Sequence, residues 1–448
     1  MLWMVVAALT SSSVSIDNFV AGEKVTYPLV ILRGRADGNA IEVRNTTTGA
    51  APLKFDVIDG RFIGLAELRP GGNRLQFSDG STLDLTYEKP TSTHRVEVTF
   101  VLAADDPDGY DDGQGGLATD YRERMDVAMK LLQSVAAEQM RDGGYGRKTF
   151  TLDFLPSGML NLQVRRLPQT GAELRAKEGG ELWSMLHDSI ATKTDTSKVK
   201  HCIVMGFTRW DREAKKAHAH TALGGGSLGL FGGGSIYTWP KNLADVTRVF
   251  TDTTILGDTG LDDSAGRSTV WGSASTTLGA TLHEMGHAFG LPHSDDPYCI
   301  MTRGFDRFNR HLTIIEPVSR RNAEPIRFTP AERSRWCAWF AARLNVNPWF
   351  QSADPPNVAR RSRPQIRVDR EAGTVTVESS NGLAIVGAWR DDRPIWFEPF
   401  PAYPVTPVVL SIDTIQAKVQ TTDRFNVVAT DRYGLESSVD IRFDQQTR

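Results

Sequence analysis

One stretch constrains this chain more than any other: His283-Glu284-Met285-Gly286-His287-Ala288-Phe289-Gly290-Leu291-Pro292-His293. His283 and His287 are four residues apart, so on a helix their imidazoles leave one face a turn apart. That spacing suits two nitrogen ligands on one tetrahedral ion. The segment has an apolar stripe at Leu278, Leu282, Met285 and Phe289 that fixes such a helix against a core. Gly290 can adopt a left-handed conformation, which ends the helix and turns the chain back. The turn brings His293 round as a third ligand. Three protein ligands leave one position open, the pattern of a catalytic rather than a structural zinc site. Glu284, beside the first ligand, is placed to take a proton from an activated water. The chain has only 9 histidines in 448 residues, so three at this spacing are poorly explained as surface residues matching by accident.

The long form of the motif resembles that of the metzincin zinc peptidases. Their second hallmark is a tight turn with a methionine beneath the metal. Cys299-Ile300-Met301 follows His293, and the resemblance implies that Met301 is that methionine, an apolar floor rather than a ligand. Gly290 and Met301 thus support the site. Some metzincins place a tyrosine ligand two residues past the methionine. Here that residue is Arg303, so no fifth protein ligand is expected. The runs His220–Gly226, Tyr237–Pro240 and Arg303–Arg310 are also similar to a family of putative zinc metallopeptidases. The resemblance covers about residues 94–345. It implies hydrolysis of peptide bonds, with Glu284 as general base and then acid on one catalytic Zn2+.

Patterning around this region predicts three domains. Residues 16–92 alternate as short strands (27–33, 40–44, 62–68, 73–77 and 82–87) between turns, which suggests a small β-sandwich. Residues 93–345 read strand–helix–strand: strands at 96–103, 149–154 and 199–207, and helices at 120–140, 182–190 and about 274–289. That order implies a mostly parallel sheet with crossover helices. A last helix, about 330–344, opens on the capping box Thr329-Pro330-Ala331-Glu332. Residues 346–448 return to β patterning and suggest a second sandwich. The fold class is therefore multidomain, α/β plus all-β: a metzincin-like catalytic domain flanked by two β-sandwich-like domains.

Residues 1–15 suit a signal segment. Leu2–Leu9 is apolar and Ser13-Val14-Ser15 is a small-x-small pattern. No positively charged start precedes the run, so a hydrophobic first strand fits it as well. A secreted or periplasmic location is slightly favoured over a cytoplasmic one. No stretch approaches the ~20 apolar residues of a transmembrane helix.

Extended peptides bind such sites by main-chain pairing. Gly224–Tyr237 is a candidate edge strand, with Gly226, Leu228 and Gly229 as candidate substrate contacts. A flexible glycine-rich loop is the alternative. The acidic run Asp105–Gly113 carries calcium-type donors without the twelve-residue spacing of a calcium loop. Ca2+ is therefore a weak expectation. Cys299 and Cys337 suit either a bridge or two buried thiols. Lys+Arg 51 against Asp+Glu 54 gives no basic excess, so nucleic acid is not an expected partner. The partner expected is a protein or peptide substrate, with a surface or glycan ligand open for the β regions. Two other functions fit less of the chain: a surface- or glycan-binding protein with a secondary metal domain, and a zinc amidase acting on a non-protein amide.

Overall fold

Between residues 40 and 87 most strand segments alternate apolar and polar side chains and bury one face, while residues 29–34 and 62–66 are buried on both faces. The computed structural model describes residues 14–356, 362–390, 393–420 and 424–442; the Leu2–Leu9 run and Ser13 of the suggested signal segment lie outside these. Its first eight strands are β1 (Ser15–Ile16), β2 (Glu23–Val25), β3 (Leu29–Arg35), β4 (Ala40–Asn45), β5 (Leu53–Ile58), β6 (Arg61–Glu67), β7 (Gly71–Phe77) and β8 (Thr82–Tyr87). They pair in the order β1-β3-β6-β5-β4-β7-β8-β2, one continuous sheet that curls into a half-barrel. The sequence reading omits β5, in which only Phe55 and Val57 are buried. That strand pairs with both β4 and β6 and joins the two halves of the sheet.

The next strand, β9 (Arg95–Leu102), is buried along most of its length because both its faces are covered. It lies in a five-stranded sheet ordered 163–166, β9, 199–205, 228–232, 222–225. The first four strands are parallel and the last is antiparallel. Val98, Phe100 and Val204 face a core shared with helix α1 (Tyr121–Asp142) and helix Val270–Ala288. Val101, Ile203 and Leu230 face the opposite core, against helix Gly179–Ser189.

α1 is buried on nearly all sides because the curled sheet covers its other flank. Gln133 Nε2 donates to the Phe150 carbonyl at 2.7 Å, and Ser134 Oγ donates to the carbonyl of Leu29 in β3. Glu138 is fully buried and accepts from Arg147 Nε at 2.6 Å and Asn18 Nδ2 at 3.0 Å. A buried carboxylate is tolerated only when paired in this way.

Two expected elements differ. Residues 149–154 make single bridges, including Val96 with Leu152, and the strand beside β9 is Gln163–Arg166. The apolar character of 149–154 comes from burial under α1, not from a ladder. The capping box at Thr329 is present but caps only a one-turn 3-10 helix, Pro330–Glu332. Residues 333–337 are then captured in extended form: Arg335 N–H donates to the Tyr298 carbonyl at 2.9 Å, and Ile300 N–H to the Arg335 carbonyl at 2.7 Å. The α-helix begins again at Ala338–Val346.

Beyond residue 362, strands 365–369, 374–378 and 408–411 form one sheet. Strands 393–399, 383–390, 424–431 and 436–442 form another. Val375, Val377, Val386 and Val427 share one core between them. Strand Arg393–Pro399 and helix Ile412–Val419 were not expected from sequence. Among the described residues, no helix is long and apolar enough to cross a membrane.

Candidate metal centre

Thr269 starts the site helix, its Oγ1 accepting from Gly272 N–H at 3.2 Å. The helix runs Val270–Ala288 and is buried along almost its whole length. Its end is a Schellman turn. Leu291 N–H donates to the Gly286 carbonyl at 3.0 Å and Gly290 N–H to the His287 carbonyl at 2.9 Å. Gly290 has φ +86°, a left-handed conformation that side chains disfavour. The chain therefore reverses directly after the helix, and His293 returns beside His287.

The three imidazoles converge. His287 Nε2 lies 3.1 Å from His283 Nε2 and 3.2 Å from His293 Nε2. One ligand atom from each ring falls within 4.8 Å of the others. His283 Nδ1 is 2.8 Å from the Ile300 carbonyl, and His287 Nδ1 is 2.8 Å from the Leu291 carbonyl. A carbonyl only accepts, so both Nδ1 atoms carry the proton and both Nε2 atoms present lone pairs. Burial pushes His283 down to about 3 and lowers His287 as well, which keeps both rings neutral. Two lone pairs facing each other at 3.1 Å repel unless a cation lies between them. The donor set therefore fits a divalent metal, and three nitrogens suit zinc. Among the described residues, no other group of three His, Cys, Asp or Glu is placed to hold an ion. His293 is exposed, so the centre opens to solvent on that side.

Glu284 is buried, and burial raises its carboxyl to about 8. A carboxylate poised near neutrality exchanges protons readily. Met301 is fully buried, and its Sδ lies against Gly286, with Trp336 alongside. Sequence reasoning missed three contributors: the Ile300 and Leu291 carbonyls that orient the histidines, and Phe305, whose ring lies 5.2 Å from that of His283. A carbonyl carries no side-chain signal, so only the fold reveals the first two.

The suggested substrate contacts are corrected in part. Leu228 and Gly229 belong to strand Leu228–Gly232, which is paired on both sides, by 199–205 and by 222–225. Its main chain is not free, and Leu228 is fully buried. A Cβ on Gly229 would sit 2.9 Å from Met285 Sδ, so this glycine admits the site helix rather than a substrate. Gly226, at φ +54°, is in the hairpin turn. The sheet edge is Ala222–Gly225, and there Gly224 packs directly on the Glu284 backbone and on His287 Cβ.

The acidic run at 105–113 is spent on the protein itself. Asp105 accepts from Gly171 N–H, Asp106 pairs Arg175 and Arg209, Asp108 accepts from Tyr121, and Asp111 accepts from Trp210 N–H. Its carboxylates diverge rather than gather around a calcium ion. Cys202, Cys299 and Cys337 are free thiols.

Comparison with known proteins places this geometry in context. A family model described as "Putative peptidase family" matches residues 13–384. A protein of Schizosaccharomyces pombe named "Putative zinc metalloproteinase" is 27% identical over 410 residues, 84% of this chain and 66% of its own length. One of Saccharomyces cerevisiae with the same description is 26% identical over 388 residues, 76% of this chain and 55% of its own. The chain thus spans 66% and 55% of these relatives. Among solved structures, wild-type OgpA from Akkermansia muciniphila is similar at TM-score 0.47 and 14% identity, covering 79% of this chain and 94% of that one.

Proposed function

The chain belongs to the putative peptidase family, and from that membership we propose that it is a zinc-dependent endopeptidase of the metzincin type. The reading rests on one observation above the rest: three imidazoles turn their Nε2 atoms to a common point, with Glu284 next to the first of them. His283, His287 and His293 would hold one Zn2+. When bound, zinc supplies Lewis acidity, which acidifies water and polarises a peptide carbonyl. Glu284 takes the proton from the attacking water on a carboxylate oxygen and later gives it to the departing amide nitrogen. Met301 closes the apolar floor as a methionine turn. Ile300 and Leu291 keep the ligand rings in the required tautomer.

An extended peptide would align along the edge strand Ala222–Gly225 and pair with its main chain. The catalytic unit would be residues 93–345, carried between the curled N-terminal sheet (16–92) and a β-sandwich-like C-terminal part (346–448).

Glu284→Gln tests the mechanism. The variant should retain about one zinc per chain by atomic absorption and lose casein cleavage by at least ~100-fold, the usual scale of a general base. Turnover close to that of the parent protein would refute the role. Loss of zinc together with activity would make Glu284 part of the metal's support instead.

A further inference from the structure

The curled sheet, the C-terminal end of α1 and the extended segment 333–337 enclose a cavity of about 750 Å³. None of the three histidines lines it. Its walls carry five arginines and three aspartates. The aspartates are already engaged. Asp142 takes Arg33 at 3.1 Å and Arg141 at 2.9 Å. Asp296 takes Arg335 on both oxygens at 3.0 Å, and Asp17 lies 3.8 Å from Arg35.

Arg61 and Arg333 are left over. Among the described residues neither has a carboxylate partner. Arg333 donates only through Nε, to the Arg310 carbonyl at 3.1 Å. Burial lowers it to about 10, yet a guanidinium at that value is still charged at neutral pH. Arg333 is only half-buried, and Asp142 and Glu138 act on it through space without forming an ion pair, so its remaining guanidinium donors at the cavity wall are open to an anion. The same cavity has an apolar wall of Phe62, Ile63, Ile314 and Trp336.

We propose that this cavity binds a small organic dianion, with Arg61 and Arg333 on its charge and an apolar group against Trp336 and Phe62. Arginine forks match phosphate and carboxylate oxygens two at a time, and an apolar wall with a few convergent polar groups is the usual form of a small-molecule site. A phosphate monoester and an aromatic dicarboxylate share this chemistry.

Calorimetric titration of the zinc-loaded full chain tests it, with phenyl phosphate and phthalate as the two dianions. Inorganic phosphate is the probe for charge alone and benzyl alcohol the probe for the ring alone. At least one aromatic dianion should bind, at least ~10-fold more tightly than phosphate or benzyl alcohol, since a buried ring adds a kcal/mol or more. Which of the two binds better identifies the headgroup. Arg333→Ala should weaken binding ~10–100-fold, the range of a charged hydrogen bond. Arg61 is exposed, so Arg61→Ala reads the same site without a burden on folding and should weaken binding by several-fold. His293→Ala should leave the affinity unchanged. Binding that follows His293 and ignores both arginines would put the anion on the metal and overturn the proposal. So would failure of both aromatic dianions to bind.

Discussion

Met301 Sδ occupies the space that a side chain at position 286 would need. A Cβ built on Gly286 falls well inside van der Waals distance of that sulfur and 3.4 Å from the Trp336 ring. Gly286 lies on the site helix one residue before His287, and Met301 follows the carbonyl that orients His283. Helix and turn are thereby packed against each other beside His287. Gly286→Ala should destabilise the protein by ~1–3 kcal/mol, as overpacking of a tight core does. Met301→Ala in the same chain should relieve part of that. The two single effects should exceed the double by about 1 kcal/mol or more in urea unfolding. Simple additivity would mean that the sulfur moves aside freely.

Neighbouring glycines in the edge strand should behave oppositely. A Cβ on Gly224 meets the Glu284 carbonyl and lies 2.8 Å from His287 Cβ, neither of which can retreat without moving the helix. A Cβ on Gly225 meets nothing closer than Trp183 at 4.0 Å. Gly224→Ala should therefore cost ~1–3 kcal/mol or more and weaken zinc binding, while Gly225→Ala should stay within about 0.5 kcal/mol. Equal unfolding midpoints would show that the helix does not rest on this strand as described.

These contacts also explain what the sequence could reveal. The site helix, its Gly290 stop and the three histidines were readable because each depends on local spacing: four residues to a turn, and a left-handed residue at the helix end. Strands β4, β7 and β8 were readable because they alternate, and β3 because it opens on an unbroken apolar run. The capping box at Thr329 was also read correctly, but not the fate of the next residues. Nothing local says that Arg335 will pair with Tyr298 and Ile300. The same holds for Gly229, whose neighbour Met285 is 56 positions away in sequence. Long-range partners decided each error, and a single sequence does not display them.

Stability of zinc-free protein should depend on pH through Glu284. Its carboxyl sits at about 8 in the folded chain against an ordinary 4.5. Between those values the folded state keeps a proton that the unfolded state has released. This contribution is fully present below pH 4.5 and is lost as pH rises towards 8. His283 acts in the opposite sense. Held at about 3 against 6.5, it adds stability above pH 6.5 that is lost on acidification. Subtracting the Glu284→Gln profile from the parent isolates the first effect. The difference should slope downwards with pH by as much as ~1.4 kcal/mol per unit between 4.5 and 8. A flat difference would mean that the buried carboxyl ionises at its usual value.

Metal addition should separate the three histidines by burial. If zinc binds only the folded chain, a free concentration a hundredfold above its dissociation constant should stabilise the parent by ~2.7 kcal/mol. His293 is exposed and its ring has few structural duties, so His293→Ala should cost the zinc-free protein no more than about 0.5 kcal/mol. It should nevertheless remove most of the zinc-dependent gain, because two imidazoles hold the ion far less well than three. His283 is buried and donates to the Ile300 carbonyl at 2.8 Å. His283→Ala should therefore lose the zinc response and also cost ~1–3 kcal/mol without metal, from the carbonyl left unpaired. Urea midpoints with and without zinc for the three proteins give all the quantities needed. A full zinc response in His293→Ala would show that the third ligand is some other residue, and the geometry of the open side would then have to be redrawn around it.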